Sequence, residues 1–154
     1  MPKFVSLPEP ERLVGLGFRY WMLGRKSGDI ACWERTWNLY SGMFGLCGAR
    51  QAVGTLSCWV GALNRTAVRD IEVLPVACAD FCRDECIAVS MIAACQHGTC
   101  PAMRACAFAL LESPLIDGVV GEAQAFADTM TSLEQRLSPH SIVTAPVSAA
   151  AANR

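Results

Sequence analysis

Apolar residues recur three and four positions apart along most of this 154-residue chain. That spacing belongs to one face of an α-helix, and the long Val/Ile/Thr alternations that build strands are scarce. The pattern predicts an all-α fold. A first helix begins after Pro8 and Pro10, carries Leu13, Leu16, Tyr20 and Leu23 along one side, and ends in the glycine-bounded stretch 24–28. Ser27 or Asp29 can cap a second helix in which Trp33, Trp37, Tyr40 and Phe44 fall at i, i+4, i+7 and i+11, a stripe that reads as core. A third helix is expected over 49–66, with Val53, Leu56, Val60 and Leu63 facing inward and Gly54 and Gly61 admitting a close neighbour.

RDIEVLP then reads as an extended connector ending at Pro75, followed by a cysteine-bearing helix over 78–97 closed by Gly98. A fifth helix is expected from Pro101 to Glu112, and a sixth from Asp117 through Val120, Phe126, Met130 and Leu133 to Leu137. Beyond Ser138 the periodicity stops. The reading is therefore one domain, residues 1–137, a compact bundle of five or six helices, with a mobile C-terminal tail over 138–154.

Composition narrows the function. Apolar residues make up 53% and charged residues 18%, which suits a well-buried core or an oligomeric face. No apolar run reaches the roughly 18 to 20 residues needed to cross a bilayer. The N-terminal MPKFVSLPEPERLVGLG lacks the pattern of a secretory signal, so a cytoplasmic location is expected. With 13 basic against 14 acidic residues the net charge is -1, which gives no bulk attraction to nucleic acid. A protein partner or further copies of the chain are the expected associations.

Six of the nine cysteines fall between Cys78 and Cys106. In a reducing compartment such thiols are ligands, reactive groups or core residues rather than disulfides. On a helix, Cys78, Cys82 and Cys86 would share one face, continued by Val89, Ile92 and Ala93, with Asp80, Arg83 and Asp84 on the solvated side. Glu85 falls on the thiol face, where a carboxylate needs a partner. An arginine from another helix, such as Arg35 or Arg104, would serve, and a bound ion is the alternative.

Pro101 sets Cys100 at a helix N-cap, where unpaired N–H groups and the helix dipole favour thiolate. Cys82, Cys86, Cys100 and Cys106 thus form a candidate four-thiolate set for zinc or an iron–sulfur cluster. Geometry raises an objection, because in a tight hairpin about Gly98 the Cys86 position lies roughly 16 Å from the turn that holds Cys100. The alternatives are a smaller group of Cys95, His97 and Cys100 at the turn, with Cys78, Cys82 and Cys86 facing Cys32, Cys47 or Cys58. Thiols lining a bundle with Met91 and Met103 nearby would suit copper as Cu(I).

The run Cys100-Pro101, Cys106, Ala109-Leu110 and Gly118-Val119-Val120-Gly121 resembles the latter part of WhiB-like iron–sulfur proteins over residues 97–121. The resemblance implies an iron–sulfur cluster held by thiolates, with a Gly-rich turn downstream. Where that family has a further cysteine this chain has His97, and where its turn has tryptophan this chain has Val120; the family's basic tail is absent.

There is no Glu-x-x-His pair, no Gly-x-Gly-x-x-Gly and no P-loop, and the two histidines are His97 and His140. A Cys–His pair would have to use His97 beside Cys100. No complete catalytic set is legible. The sequence thus supports a metal- or cluster-binding helical protein with a redox or metal-responsive role. The alternatives are an interaction or scaffold protein whose cysteines are core residues, and a thiol redox switch at Cys100.

Overall fold

A computed structural model describes residues 7–142, and the all-α expectation holds. Five helices, α1 (Glu9–Ser27), α2 (Ile30–Thr66), α3 (Arg83–His97), α4 (Cys100–Leu111) and α5 (Asp117–Ser132), are followed by a short 3-10 turn, Pro139–Ser141. Of the expected tail, residues 138–142 are described and form this turn; 143–154 lie outside the described residues.

Helix α1 starts on Pro8, with Glu9 and Glu11 in the first turn where the dipole favours negative charge, and stops at Gly28 in the left-handed region (φ 74°). Its inner face is Leu13, Val14, Phe18 and Met22. The expected Leu16, Tyr20 and Leu23 are only half-buried. The face is turned because Arg19 is drawn inward, and because Gly15, Gly17 and Gly24 lie under Phe81, Tyr40 and Trp33. At Gly17 even a methyl group would collide with the Tyr40 hydroxyl.

Helix α2 is two arms, as the sequence suggests. Gly45 leaves helical geometry (φ 76°, ψ 179°), and the chain folds back on itself there. The first arm runs antiparallel to α1, with Trp33 beside Gly24 and the Tyr40 hydroxyl donating to the Leu13 carbonyl (3.0 Å). The second returns parallel to it, with Leu56 near Gly17, Trp59 against Phe18 and the Asn64 side chain reaching Met22. Gly61 approaches the side chains of Arg65 and Arg25, but Gly54 faces open space, and Val53 is only half-buried. Of the aromatic stripe, Tyr40 alone is fully buried; Trp33 and Phe44 are half-buried and Trp37 is exposed at the edge.

Trp59 is the hub of the core, ringed by Phe18 at 5.4 Å and stacked on Phe126 of α5 at 5.6 Å. Helix α5 runs antiparallel to the second arm, since the Thr55 and Thr129 hydroxyls meet (3.2 Å) above the Trp59–Phe126 pair. It ends at Ser132 rather than continuing to Leu137, because Glu134 adopts a left-handed φ of 63°. Leu137 is nonetheless buried, and Gln96 and His97 of α3 bond its backbone. Buried Glu11 then accepts from the Ser138 amide (2.8 Å) and the Ser141 hydroxyl (2.5 Å), fastening the 3-10 turn to the start of α1.

Candidate functional site

The cysteine segment divides into two environments at opposite ends of α3. The helix begins at Arg83, not at residue 78, so Cys78, Cys82 and Cys86 do not share a helical face. Cys82 is the N-cap, and Glu85 reaches back to accept its amide N–H (3.0 Å), which fixes where the helix starts. Before it, residues 67–82 form an irregular strap.

Arg19 holds that strap. Its guanidinium forks onto Glu85, with Nε at 2.8 Å from one carboxylate oxygen and Nη2 at 3.0 Å from the other, and both side chains are 0% exposed. It also donates to the backbone carbonyls of Cys78 (2.6 Å) and Asp80, and lies over the Phe81 ring. Burial disfavours the charged guanidinium, but the Glu85 contacts outweigh it and raise its pKa. Glu85 further accepts from the Leu74 amide (3.0 Å). The partner of Glu85 is therefore Arg19, rather than Arg35 or Arg104, and no ion is needed to balance it. A charge set within the apolar run GLGFRYWML was the signal in the sequence.

Asp84, expected on the solvated side, is buried as well. It accepts from Arg69 (2.7 Å) and the Glu72 amide (2.8 Å), while Arg69 also reaches the last carbonyls of α4 at Ala109 and Leu110. The Cys82 thiol donates to the Glu72 carbonyl (3.4 Å); burial and the Glu85 carboxylate push it up to about 11, against a smaller opposing pull from backbone N–H groups. Cys86, half-buried, is raised by the same two causes, burial first. These thiols sit as neutral groups in a network of fixed charges.

At the other end, α3 and α4 form an antiparallel hairpin around Gly98, left-handed at φ 68°. The Cys95 thiol meets the Met103 thioether at 3.2 Å, and the Cys106 thiol meets the Ser90 hydroxyl at 3.4 Å. Burial, then Asp128, Cys106 and Cys100, push the Cys95 thiol up to about 12. Burial also raises Cys106, against the Ser90 hydrogen bond. Cys100 is exposed and sits one residue inside α4, because the N-cap is Thr99 and not Cys100. His97 contacts the Leu137 carbonyl (2.7 Å) instead of a thiol. Of the remaining thiols, Cys32 is buried, and Cys47 and Cys58 face solvent on α2.

The four-thiolate candidates thus occupy different places. Cys82 and Cys100 stand beyond opposite ends of α3, about 22 Å apart along a 15-residue helix at 1.5 Å per residue. Cys106 faces the middle of α3, and Cys86 lies one turn in from the strap. Among the described residues, no three or more His, Cys, Asp or Glu side chains form a group that could hold a metal ion. The smaller set of Cys95, His97 and Cys100 is not brought together either. No family model, curated protein or solved structure matches the chain. The Gly118–Gly121 stretch, a turn by resemblance, is helical and opens α5.

The uncharged surface lies elsewhere. From Asn38 to Ala49 the chain has no charged residue, and around the reversal at Gly45 it leaves Met43 45% and Leu46 70% exposed. Half-buried Leu39, one turn before Met43, and Phe44 extend this apolar ridge toward the core. No helix among the described residues is long and apolar enough to cross a membrane.

Proposed function

We propose that this chain is a helical interaction module that associates with a second copy of itself through the ridge at Leu39, Met43 and Leu46. The observation that carries this reading is the twelve-residue uncharged segment 38–49, folded back at Gly45 with large apolar side chains left in water. Large apolar side chains left exposed on an uncharged stretch mark contact surfaces. A net charge of -1 adds little long-range repulsion between copies. On this reading the cysteines are not one ligand set, and the buried ones, Cys32, Cys95 and Cys106, are packing residues. The separate settings of Cys82 and Cys86 at one end of α3 and Cys95 at the other support it.

Sedimentation equilibrium across a concentration range tests the proposal. The wild type is expected to show a reversible oligomer, and Leu46→Asp to remain monomeric while keeping its helical circular dichroism. A wild-type chain that stays monomeric throughout, or a Leu46→Asp variant that associates equally well, overturns it.

A further inference from the structure

Charge is divided unevenly along this chain. Residues 12–69 carry eight basic and two acidic side chains, residues 70–154 carry four basic and ten acidic, and from Arg35 to Arg69 there is no carboxylate side chain. Two arginines of the basic half meet. A Cβ built on Gly61 of α2 would lie 3.3 Å from Nη1 of Arg65 and 3.9 Å from Nη1 of Arg25, so these two nitrogens, one from each helix, stand within about 7 Å of each other. Gly61 is buried beneath them, while both arginines are exposed. None of the ion pairs among the described residues uses either guanidinium, whereas Lys26, the neighbour of Arg25, takes Asp70, and Arg69 takes Asp84. Each of the two stands in the last turn of its helix, where the dipole favours a cation. That accounts for each arginine separately and not for their meeting, because like charges repel.

The geometry points to a binding seat for a phosphate monoester or free phosphate, held between the Arg25 and Arg65 guanidiniums over Gly61. An anion placed there turns one repulsion into two attractions. Charge-assisted N–H···O bonds of about 2.8 Å from each side, with the width of a phosphoryl group between them, span a gap of this size. The donors also select the ligand. A terminal phosphoryl group brings three acceptor oxygens and nearly two negative charges at neutral pH, which matches two guanidinium forks better than a carboxylate or a phosphodiester does. Glycine inside a helix costs stability, and at position 61 it lets both guanidiniums lie close to the backbone, where a methyl group 3.3 Å from the Arg65 Nη1 would crowd them. The seat lies sixteen residues beyond Gly45, roughly 24 Å along the second arm, and so is separate from the apolar ridge.

The test is modification of the folded protein by an arginine-selective dicarbonyl, mapped by mass spectrometry, in inorganic phosphate and in sodium chloride of the same ionic strength. Phosphate is expected to slow modification of Arg25 and Arg65 several-fold and to leave Arg50, an exposed arginine elsewhere on α2, unchanged. Arg25→Lys keeps the charge but removes the fork, so phosphate should no longer protect Arg65 in that variant. A single-stranded oligonucleotide without a terminal phosphate, at the same phosphorus concentration, should protect neither arginine. The seat is not there if phosphate fails to protect the pair, protects Arg50 equally, or still protects Arg65 in Arg25→Lys. Protection by the oligonucleotide as strong as that by phosphate would make this face a polyanion surface and overturn the proposal.

Discussion

The two ends of α3 carry the same residue type in different physical settings. At its N-terminal end Cys78, Cys82 and Cys86 surround a scaffold of charge, in which Arg19, Arg69, Asp84 and Glu85 tie the 67–82 strap to three helices through directional bonds. At its C-terminal end Cys95 and Cys106 have a thioether and a hydroxyl as partners. The first end is specified by geometry, and its Cys82 thiol donates to the Glu72 carbonyl. The second is soft, with sulfur facing sulfur. Proximity in sequence therefore does not make the six thiols one group.

Breaking the charged end should have the largest effect. Glu85→Ala leaves Arg19 buried without its partner and should destabilise the fold by about 3–5 kcal/mol, read from urea unfolding. The double variant Arg19→Met/Glu85→Leu should recover most of that loss, because the bridge positions the strap more than it contributes net stability. A double variant as unstable as Glu85→Ala would instead make the ion pair a main source of stability. Asp84→Ala removes two charge-assisted bonds and should cost roughly 1.5–3 kcal/mol in the same assay.

Alkaline pH probes both ends at once. Cys95 and Cys82 are neutral in the fold, with folded pKa values pushed up to about 12 and about 11 from an ordinary 9.0. A raised folded pKa means that the folded state holds its proton longer than the unfolded chain. The contribution is intact below pH 9.0 and is lost as pH climbs toward the folded values. Unfolding midpoints should therefore fall on the alkaline side of 9.0, and Cys95→Ala should flatten that decline. An unchanged slope in the variant would remove Cys95 as its source. The smallest effect is expected away from either end: Gly54→Ala, where a Cβ meets nothing within 4 Å, should stabilise α2 by about 0.5–1 kcal/mol.

The helices were legible because helical periodicity and glycine or proline punctuation agree along most of the chain; even the reversal at Gly45 lies in the gap between the second and third expected helices. The start of α3 was misread because Cys78, Cys82 and Cys86 keep a four-residue spacing through a strap that is not helical. What stops the helix at Cys82 is a capping bond from Glu85 and a tether from Arg19, more than sixty residues earlier in the chain. Long-range polar contacts of this kind leave no local period. The same tether decided the fate of the candidate ligands, since it turned Glu85 toward a guanidinium. Glu85 itself announced that it needed a partner, while Cys95 and Met103 could be matched only once the hairpin register was known.

The separation of the two cysteine groups is tested most directly by anaerobic reconstitution with iron and sulfide, followed by absorbance at about 400 nm, where thiolate-bound clusters absorb. The expected result is no stoichiometric cluster, because Cys82 and Cys100 stand at opposite ends of α3. A cluster formed in good yield by the wild type and lost in both Cys82→Ala and Cys100→Ala would contradict the account.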